Sequence, residues 1–231
     1  GSTSWVKSKL LKRNKKFKNF SVDIRNLDAL NNIFERYKKK ISVIIHCAAQ
    51  PSHDYGKNYP FLDFNVNATG TLNLLELTKK YSPSAPFIFM STNKVYGDNP
   101  NKLKLIEKKT RWELRKSDKS YKGIKENFSI DDATHSFFGV SKTYADLIVQ
   151  EYGKNIGLKT VCFRAGCITG PNHSGTNLHG FLSYLVKASL KNQKYTLIGY
   201  KGKQVRDNLH SNDLVNCFWE FYKNPKIGEI Y

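Results

Sequence analysis

The sequence predicts an α/β fold built on a doubly wound parallel sheet, and three observations carry that reading. Short apolar runs without alternation stand at Val43-Ile44-Ile45-His46-Cys47, Pro86-Phe87-Ile88-Phe89-Met90 and Thr160-Val161-Cys162-Phe163. Such runs suit strands buried on both faces, the usual condition of a parallel sheet. Helix-periodic segments precede them, which is the alternation that parallel crossovers require. The runs also end in small, hydroxyl or amide residues that a buried strand would not choose. In an open parallel sheet, ligands sit beyond those carboxyl ends.

Taken along the chain, Ala29 to Lys39 spaces Leu30, Ile33, Phe34 and Tyr37 three and four apart, which predicts a helix with one apolar face. Val43 to Gln50 follows as a strand whose Ala48-Ala49 end leaves room for a ligand to approach the backbone. Thr71 to Tyr81 repeats the helical spacing. The next strand runs straight into Ser91, Thr92 and Asn93, which are expected to project toward a bound molecule. Residues 97–135 are too long for a simple connection and mostly polar, with Trp112, Tyr121 and Phe128 interspersed. A lid over the site and a solvated insertion are both open there. Tyr144 to Gly153 reads as a third helix and Thr160 to Arg164 as a third strand, after which Gly166 and Gly170-Pro171 turn the chain.

Length and charge bound the function classes. A chain of 231 residues buries one sizeable core with room for a small lobe. No apolar run approaches the roughly 18 residues of a membrane span, and no secretory signal is visible, so no membrane partner is expected. Cys47, Cys162, Cys167 and Cys217 lack metal-ligand spacing, which predicts reduced thiols, no metal and a cytoplasmic location. The 38 Lys and Arg against 19 Asp and Glu give a net charge of +19, the footprint of a nucleic-acid binder. Only seven of the 38 are Arg, the lysines are scattered, and no zinc, helix-turn-helix or RNA-recognition pattern accompanies them. No nucleic-acid partner is expected, whereas an anionic nucleotide substrate suits the charge.

The segment Ser91-Thr92-Asn93-Lys94-Val95-Tyr96-Gly97 resembles the fifth-strand motif of the extended short-chain dehydrogenase/reductases, the nucleotide-sugar epimerases and dehydratases. Four other segments agree in order and spacing. They are Val22-Asp23-Ile24-Arg25, His46-Cys47-Ala48-Ala49, Asn65-Val66-Asn67-Ala68-Thr69-Gly70-Thr71 and Gln204-Val205-Arg206-Asp207-Asn208-Leu209-His210. Asn93-Lys94 with Gly97-Asp98 looks closest to the 2-epimerases within that family. The resemblance implies a Rossmann-like domain, NAD as cofactor and a homodimer or higher homo-oligomer. Residues 1–170 would form a partial NAD-binding domain, and residues 171–231 would supply substrate-lobe elements and a late strand interleaved with it. It also implies an opening strand and a glycine-rich turn that nothing from Gly1 to Phe20 supplies. The chain is therefore expected to be the middle of a longer protein, holding part of its cofactor site.

The same resemblance distributes roles. Asp23 and Ile24 would line the adenine side, and Cys47, Ala48 and Ala49 the cofactor beyond the fourth strand. Lys142 is the lysine of a Tyr-x-x-x-Lys pair and Thr92 the hydroxyl that positions the sugar. Asn93, Asn172 in the run Gly170-Pro171-Asn172-His173-Ser174-Gly175, and Arg206 would hold the nucleotide sugar, with a salt bridge to Asp207 as the competing role for Arg206. Four residues before Lys142, however, stands Phe138 instead of the family's tyrosine, and phenylalanine has no ionisable oxygen. An inactive or binding-only relative, a base from elsewhere and a damaged sequence all remain open. Tyr144 falls on another helical face. Asp131, Asp132 and His135 lie just upstream in the chain.

Dehydratases of this family carry Asp-Glu after the threonine, an acid and a base for expelling water, where this chain has Asn93-Lys94. An amide is no general acid at neutral pH and an ammonium no base. The expectation is an NAD-dependent epimerase of a nucleotide sugar, with a catalytically silent sugar-nucleotide-binding or assembly subunit as the alternative.

Overall fold

Four short strands, every neighbouring pair parallel, make the central sheet of the computed structural model, which describes residues 4–173, 175, 180–197 and 199–231. The chain runs through α1 (Ser4–Arg13) and α2 (Leu27–Tyr37) into β1 (Ile44–His46), then through α3 (His53–Asn58), α4 (Pro60–Phe64) and α5 (Gly70–Tyr81) into β2 (Phe87–Met90). The long insertion contains β3 (Leu105–Glu107) and β4 (Trp112–Leu114), and α6 (Ser136–Lys154) leads from it to β5 (Thr160–Phe163). Beyond β5 come β6 (Cys167–Thr169), α7 (Phe181–Leu190), β7 (Asn208–His210), α8 (Ser211–Lys223) and β8 (Glu229–Ile230). The sheet order is β1, β2, β5, β8, with Ile45 beside Ile88, Ile88 beside Val161 and Val161 beside Glu229. The late strand β8 thus closes the same sheet that β1 opens.

The continuous apolar runs have the reason the sequence suggested. Successive side chains of β2 point to opposite faces. Phe87 and Phe89 pack with Leu30 and Phe34 of α2, Leu74, Leu75 and Leu77 of α5, and Ala145 and Val149 of α6. Ile88 packs with Val161 and Phe163 of β5 against Leu214, Phe218 and Phe221 of α8. Each fully buried Phe or Ile contributes roughly 1.5–3 kcal/mol, so both helical layers are needed to hold the sheet.

Local signals set the helix starts. Asn26 caps α2 by accepting from the Ala29 amide at 3.0 Å, and Ser52 caps α3 by accepting from the Tyr55 amide at 3.2 Å. Pro60 opens α4, and a single π turn over Asn65–Thr69 joins α4 to α5. Gly70 at that junction lets Ile24 in, since a β-carbon there would lie 2.5 Å from Ile24 Cδ1. The helix expected from Tyr144 begins eight residues earlier, at Ser136. Its first turns bury Ser141 and Lys142 beside Phe138, so polar residues on the inner face hide the apolar periodicity.

The insertion is neither bare lid nor solvated loop. The β3–β4 hairpin is tied to the late segment by the Trp112 amide donating to the Lys203 carbonyl at 3.2 Å and by Glu107 pairing with Lys203. Phe128 packs its ring on Tyr96, with centroids 6.1 Å apart. β6 and β7 form a separate parallel pair directly beyond β5, brought close because Gly166 admits the Asp207 carbonyl. No described helix is long and apolar enough to cross a membrane.

Candidate active site

The parallel strands deliver their carboxyl ends to one edge of the sheet, and α6 lays Lys142 across that edge. Its ammonium donates to the Met90 carbonyl at 2.7 Å and stands 4.0 Å from the centre of the Phe89 ring. The residue is 4 % exposed, and burial pulls its pKa down to about 8. An ammonium has three protons to donate. Among the described residues Lys142 spends one on a carbonyl and has no carboxylate within ion-pair reach. Behind it, His46 places Nε2 2.9 Å from Thr71 Oγ1, whose own proton goes to the Asn67 carbonyl at 2.6 Å. His46 therefore donates from Nε2, and burial, followed by the Lys142 charge, pushes its pKa down to about 3.

Cys47, Ala48 and Ala49 follow β1, and their small side chains leave the backbone of the strand end accessible. A second network fixes the chain just beyond them. The Gln50 amide donates to Asn67 Oδ1 at 2.9 Å and Asn67 Nδ2 returns a bond to the Gln50 carbonyl at 3.1 Å. Asn67 Nδ2 also donates to Ser141 Oγ at 3.0 Å, and Ser141 and the Gln50 side chain both donate to buried Asp63. The π turn at Asn65–Thr69 is what aims Asn67 into this network.

Ser91 does not project toward a ligand. It is buried, and its hydroxyl donates to Asp146 Oδ2. Asp146, one turn past Lys142 on α6, is fully buried and pairs with Arg164 through Nη2 to Oδ1 at 2.6 Å and Nε to Oδ2 at 3.0 Å. Arg164 Nη1 donates to the Tyr96 hydroxyl at 3.1 Å and the Glu126 carbonyl at 2.8 Å, tying the insertion to the sheet. Strand alternation explains the outcome: Ser91 faces the core, and the chain opens outward at Thr92. Thr92 is half-buried and accepts from the Lys94 amide at 3.2 Å, while Asn93 and Lys94 are exposed.

Phe138, one turn before Lys142, is 7 % exposed and carries the ring of His53 edge-on at 5.0 Å between centroids. His53 Nδ1 lies 2.9 Å from Ser136 Oγ. His135, by contrast, faces carbonyls with both nitrogens, Val95 O at 2.9 Å and Ala133 O at 3.0 Å, and so braces the start of α6. Asp131 and Asp132 are exposed, and their carbonyls accept from Asn99 and Lys102. Tyr144 turns away to pack its ring, tilted, on Phe64 with centroids 5.7 Å apart.

The remaining residues lie farther out. Asp23 is half-exposed and paired with Arg25 at 2.6 Å, while Ile24 packs on Gly70 and its carbonyl accepts from Asn73 at 3.1 Å. Asn172 is exposed on a turn, and the neighbouring Ser174 lies outside the described residues. Arg206 makes no ion pair with Asp207 among the described residues; its guanidinium donates to Gln204 Oε1 at 3.1 Å and the Val205 carbonyl at 3.3 Å. Desolvation, followed by the nearby Arg206 charge, lowers the Lys94 pKa, so two cations meet at the rim of the site. No cluster of three metal-ligating side chains occurs among the described residues.

Sequence reasoning missed Asp63, Ser141, Asp146, Arg164 and His53. Asp146 had a signal, since it stands four residues past Lys142 on the same face. His53 had none, being one polar residue in the polar run Ser52-His53-Asp54.

The profile of the NAD dependent epimerase/dehydratase family matches residues 3–231. The chain belongs to that family. It is 33 % identical over 207 residues to CDP-paratose 2-epimerase of Salmonella typhi, covering 87 % of this chain and 59 % of that protein. It is 31 % identical over 217 residues to a dTDP-D-glucose 4,6-dehydratase of Dictyostelium discoideum, covering 93 % of this chain and 45 % of that protein. Among solved structures, dTDP-glucose 4,6-dehydratase of Bacillus anthracis in complex with NAD superposes with a TM-score of 0.73 at 26 % identity, covering all of this chain and 62 % of that one. The chain thus spans roughly half to three fifths of the length of these epimerase/dehydratase relatives. The residues at the sheet edge fit a dinucleotide: a buried ammonium has donors to spare, and the neighbouring strand end is lined by alanines.

Proposed function

We propose that the whole protein is an NAD-dependent nucleotide-sugar epimerase, and that its reaction is the 2-epimerisation of CDP-paratose to CDP-tyvelose. The observation that carries this reading is Lys142, a buried cation with unspent donors at the carboxyl edge of the sheet, bound to the carbonyl of Met90 two residues before the half-buried Thr92. Bound NAD would supply the oxidation of the sugar alcohol and its reversal. Lys142 would hold the cofactor with its spare protons, Cys47, Ala48 and Ala49 would flank it, and Asp23 and Ile24 would meet the adenine end. Thr92 would hold the reacting hydroxyl by a hydrogen bond.

Asn93, Asn172 and Arg206 would bind the nucleotide sugar, and Lys94 beside Arg206 places a second positive charge where a diphosphate would lie. Neither Asn93 nor Lys94 supplies the acid and base that dehydration needs, which favours epimerisation over the dehydratase chemistry of other relatives. Residues 1–170 would then form the cofactor-binding part and residues 171–231 the substrate-lobe elements. Exposed Phe61, Phe64, Phe137 and Val140 form one apolar face across α4 and α6, which suits a homodimer. Four free cysteines suit the cytoplasm. The second reading, a silent sugar-nucleotide-binding subunit, is favoured by one observation, the buried Phe138 ring where a phenol would act.

The deciding experiment incubates the whole protein with NAD and CDP-paratose and follows the configuration at C2 by proton NMR. Appearance of CDP-tyvelose is expected. Binding of the sugar nucleotide without inversion would favour the silent subunit.

A further inference from the structure

We propose that Trp112 and Tyr200 form the platform on which the base of the substrate nucleotide stacks, so that the insertion makes the protein select a nucleotide-linked sugar over a bare sugar phosphate; the proposal rests on the nucleotide-sugar reading above. A nucleoside diphosphate calls for two kinds of surface, cations for the diphosphate and an aromatic face for the base. The cations meet at the rim of the site, where Lys94 and Arg206 lie close together and neither is in an ion pair among the described residues. Arg206 Nη2 donates to Gln204 Oε1 at 3.1 Å, and the Gln204 side chain folds back against Gly199, where a β-carbon would collide with its amide nitrogen. Gly199 holds φ 116°, a conformation that glycine adopts freely. Tyr200 follows directly, so it begins where the amide that touches the Arg206 guanidinium ends.

The fold goes to some length to present Tyr200 to solvent. The residue is 53 % exposed, and the turn that carries it holds Lys201 at φ 48°, in the left-handed region that few side chains enter. Such strain persists only where the surroundings enforce it, and it clusters at ligand sites. Here the insertion enforces it. The Trp112 amide donates to the Lys203 carbonyl at 3.2 Å, and Glu107 pairs with Lys203 and, at 3.6 Å, with Lys201. The same docking brings the ring of half-buried Trp112, on β4, to 5.8 Å from the Tyr200 ring, with the two planes 39° apart. Rings tilted in this way do not cover each other's faces as a parallel stack would, which leaves aromatic surface for a third ring. The Lys201 ammonium stands 4.9 Å from the centre of the Tyr200 ring. Positive charge therefore continues from the diphosphate end to the aromatic end, and the insertion and the late segment build the platform jointly.

The test titrates CDP and inorganic pyrophosphate by calorimetry into the NAD-saturated whole protein and its Trp112→Ala, Tyr200→Ala and Trp112→Phe variants. Each alanine variant is expected to bind CDP roughly 5- to 150-fold more weakly, the usual effect of removing an aromatic ring from under a base. Pyrophosphate, which reaches Lys94 and Arg206 but has no base, is expected to bind the variants as it binds wild type. Trp112→Phe keeps a ring and is expected to keep its CDP affinity. Equal losses for CDP and pyrophosphate overturn the proposal, because the rings would then only hold the segment that carries Arg206. Undiminished CDP binding in either alanine variant overturns it as well, and leaves the nucleotide-sugar reading standing. Tryptophan emission gives a readout apart from affinity, since the chain has only Trp5, Trp112 and Trp219. CDP is expected to quench the emission of wild type and not that of Trp112→Phe; CDP bound to wild type without quenching overturns the proposal. A wild type that binds no CDP defeats the nucleotide-sugar reading and the proposal together.

Discussion

Lys142 and Arg164 are both cations buried at the carboxyl edge of the same sheet, and the protein satisfies them in opposite ways. Arg164 spends its guanidinium inside the fold, with two bonds to Asp146, one to the Tyr96 hydroxyl and one to the Glu126 carbonyl. Lys142 meets one carbonyl and one aromatic face. Desolvating a charge is costly unless it is paired and hydrogen-bonded. The Arg164 corner meets that cost within the fold, joining α6, β5 and the insertion. The Lys142 corner does not, and its depressed pKa records the difference. A buried cation with spent donors is a structural joint, whereas one with unspent donors is held ready for something the fold itself does not contain.

The comparison breaks most visibly at Arg164. Arg164→Met leaves Asp146 buried with Ser91 and Gln150 as its remaining side-chain partners. Removing one partner of a buried pair costs about 3–5 kcal/mol, which urea unfolding with an unchanged slope would register. A loss within experimental error of zero would remove Arg164 from the joint.

Lys142→Met is expected to do the reverse. The folded pKa of about 8 lies below the ordinary 10.4 of lysine. Between those values the unfolded chain holds a proton that the folded one has released, so the contribution of Lys142 to stability improves as pH rises through that window and is worst below pH 8. Relative to wild type, Lys142→Met should gain up to about 3 kcal/mol at pH 7, with the advantage shrinking toward pH 10.5. Thermal unfolding of both proteins across that range checks the sign. An advantage that stays constant with pH would mean that Lys142 carries no desolvation penalty.

A smaller effect is expected at Ser91. Ser91→Ala removes one hydrogen bond from a carboxylate that keeps its arginine, so roughly 1–2 kcal/mol should be lost. NAD affinity of the whole protein should not change, because Ser91 faces the core. A lost affinity without lost stability would return Ser91 to the ligand side of the strand.

Ser91 also marks where the sequence stops being legible. The sheet could be read directly, because strands covered on both faces need continuous apolar side chains, and the runs at 43–47, 87–90 and 160–163 have them. A hydroxyl at a strand end looks alike whether it meets a ligand or a carboxylate 55 residues later, and only the fold brings Asp146 to Ser91. The first two turns of α6 were hidden for a related reason, since Ser141 and Lys142 are polar residues on a buried face. Phe138 could be found only from its spacing to Lys142. His53 joins it through a contact across 85 positions that no local pattern encodes.

The most direct test of the contrast is a calorimetric titration of NAD into the whole protein and its Lys142→Met variant. Hydrogen bonds from a charged group are worth about 1.5–3 kcal/mol, so the variant is expected to bind NAD roughly 10- to 150-fold more weakly while remaining at least as stable at pH 7. Equal affinity in the two proteins would contradict the claim that the spare donors of Lys142 serve the cofactor.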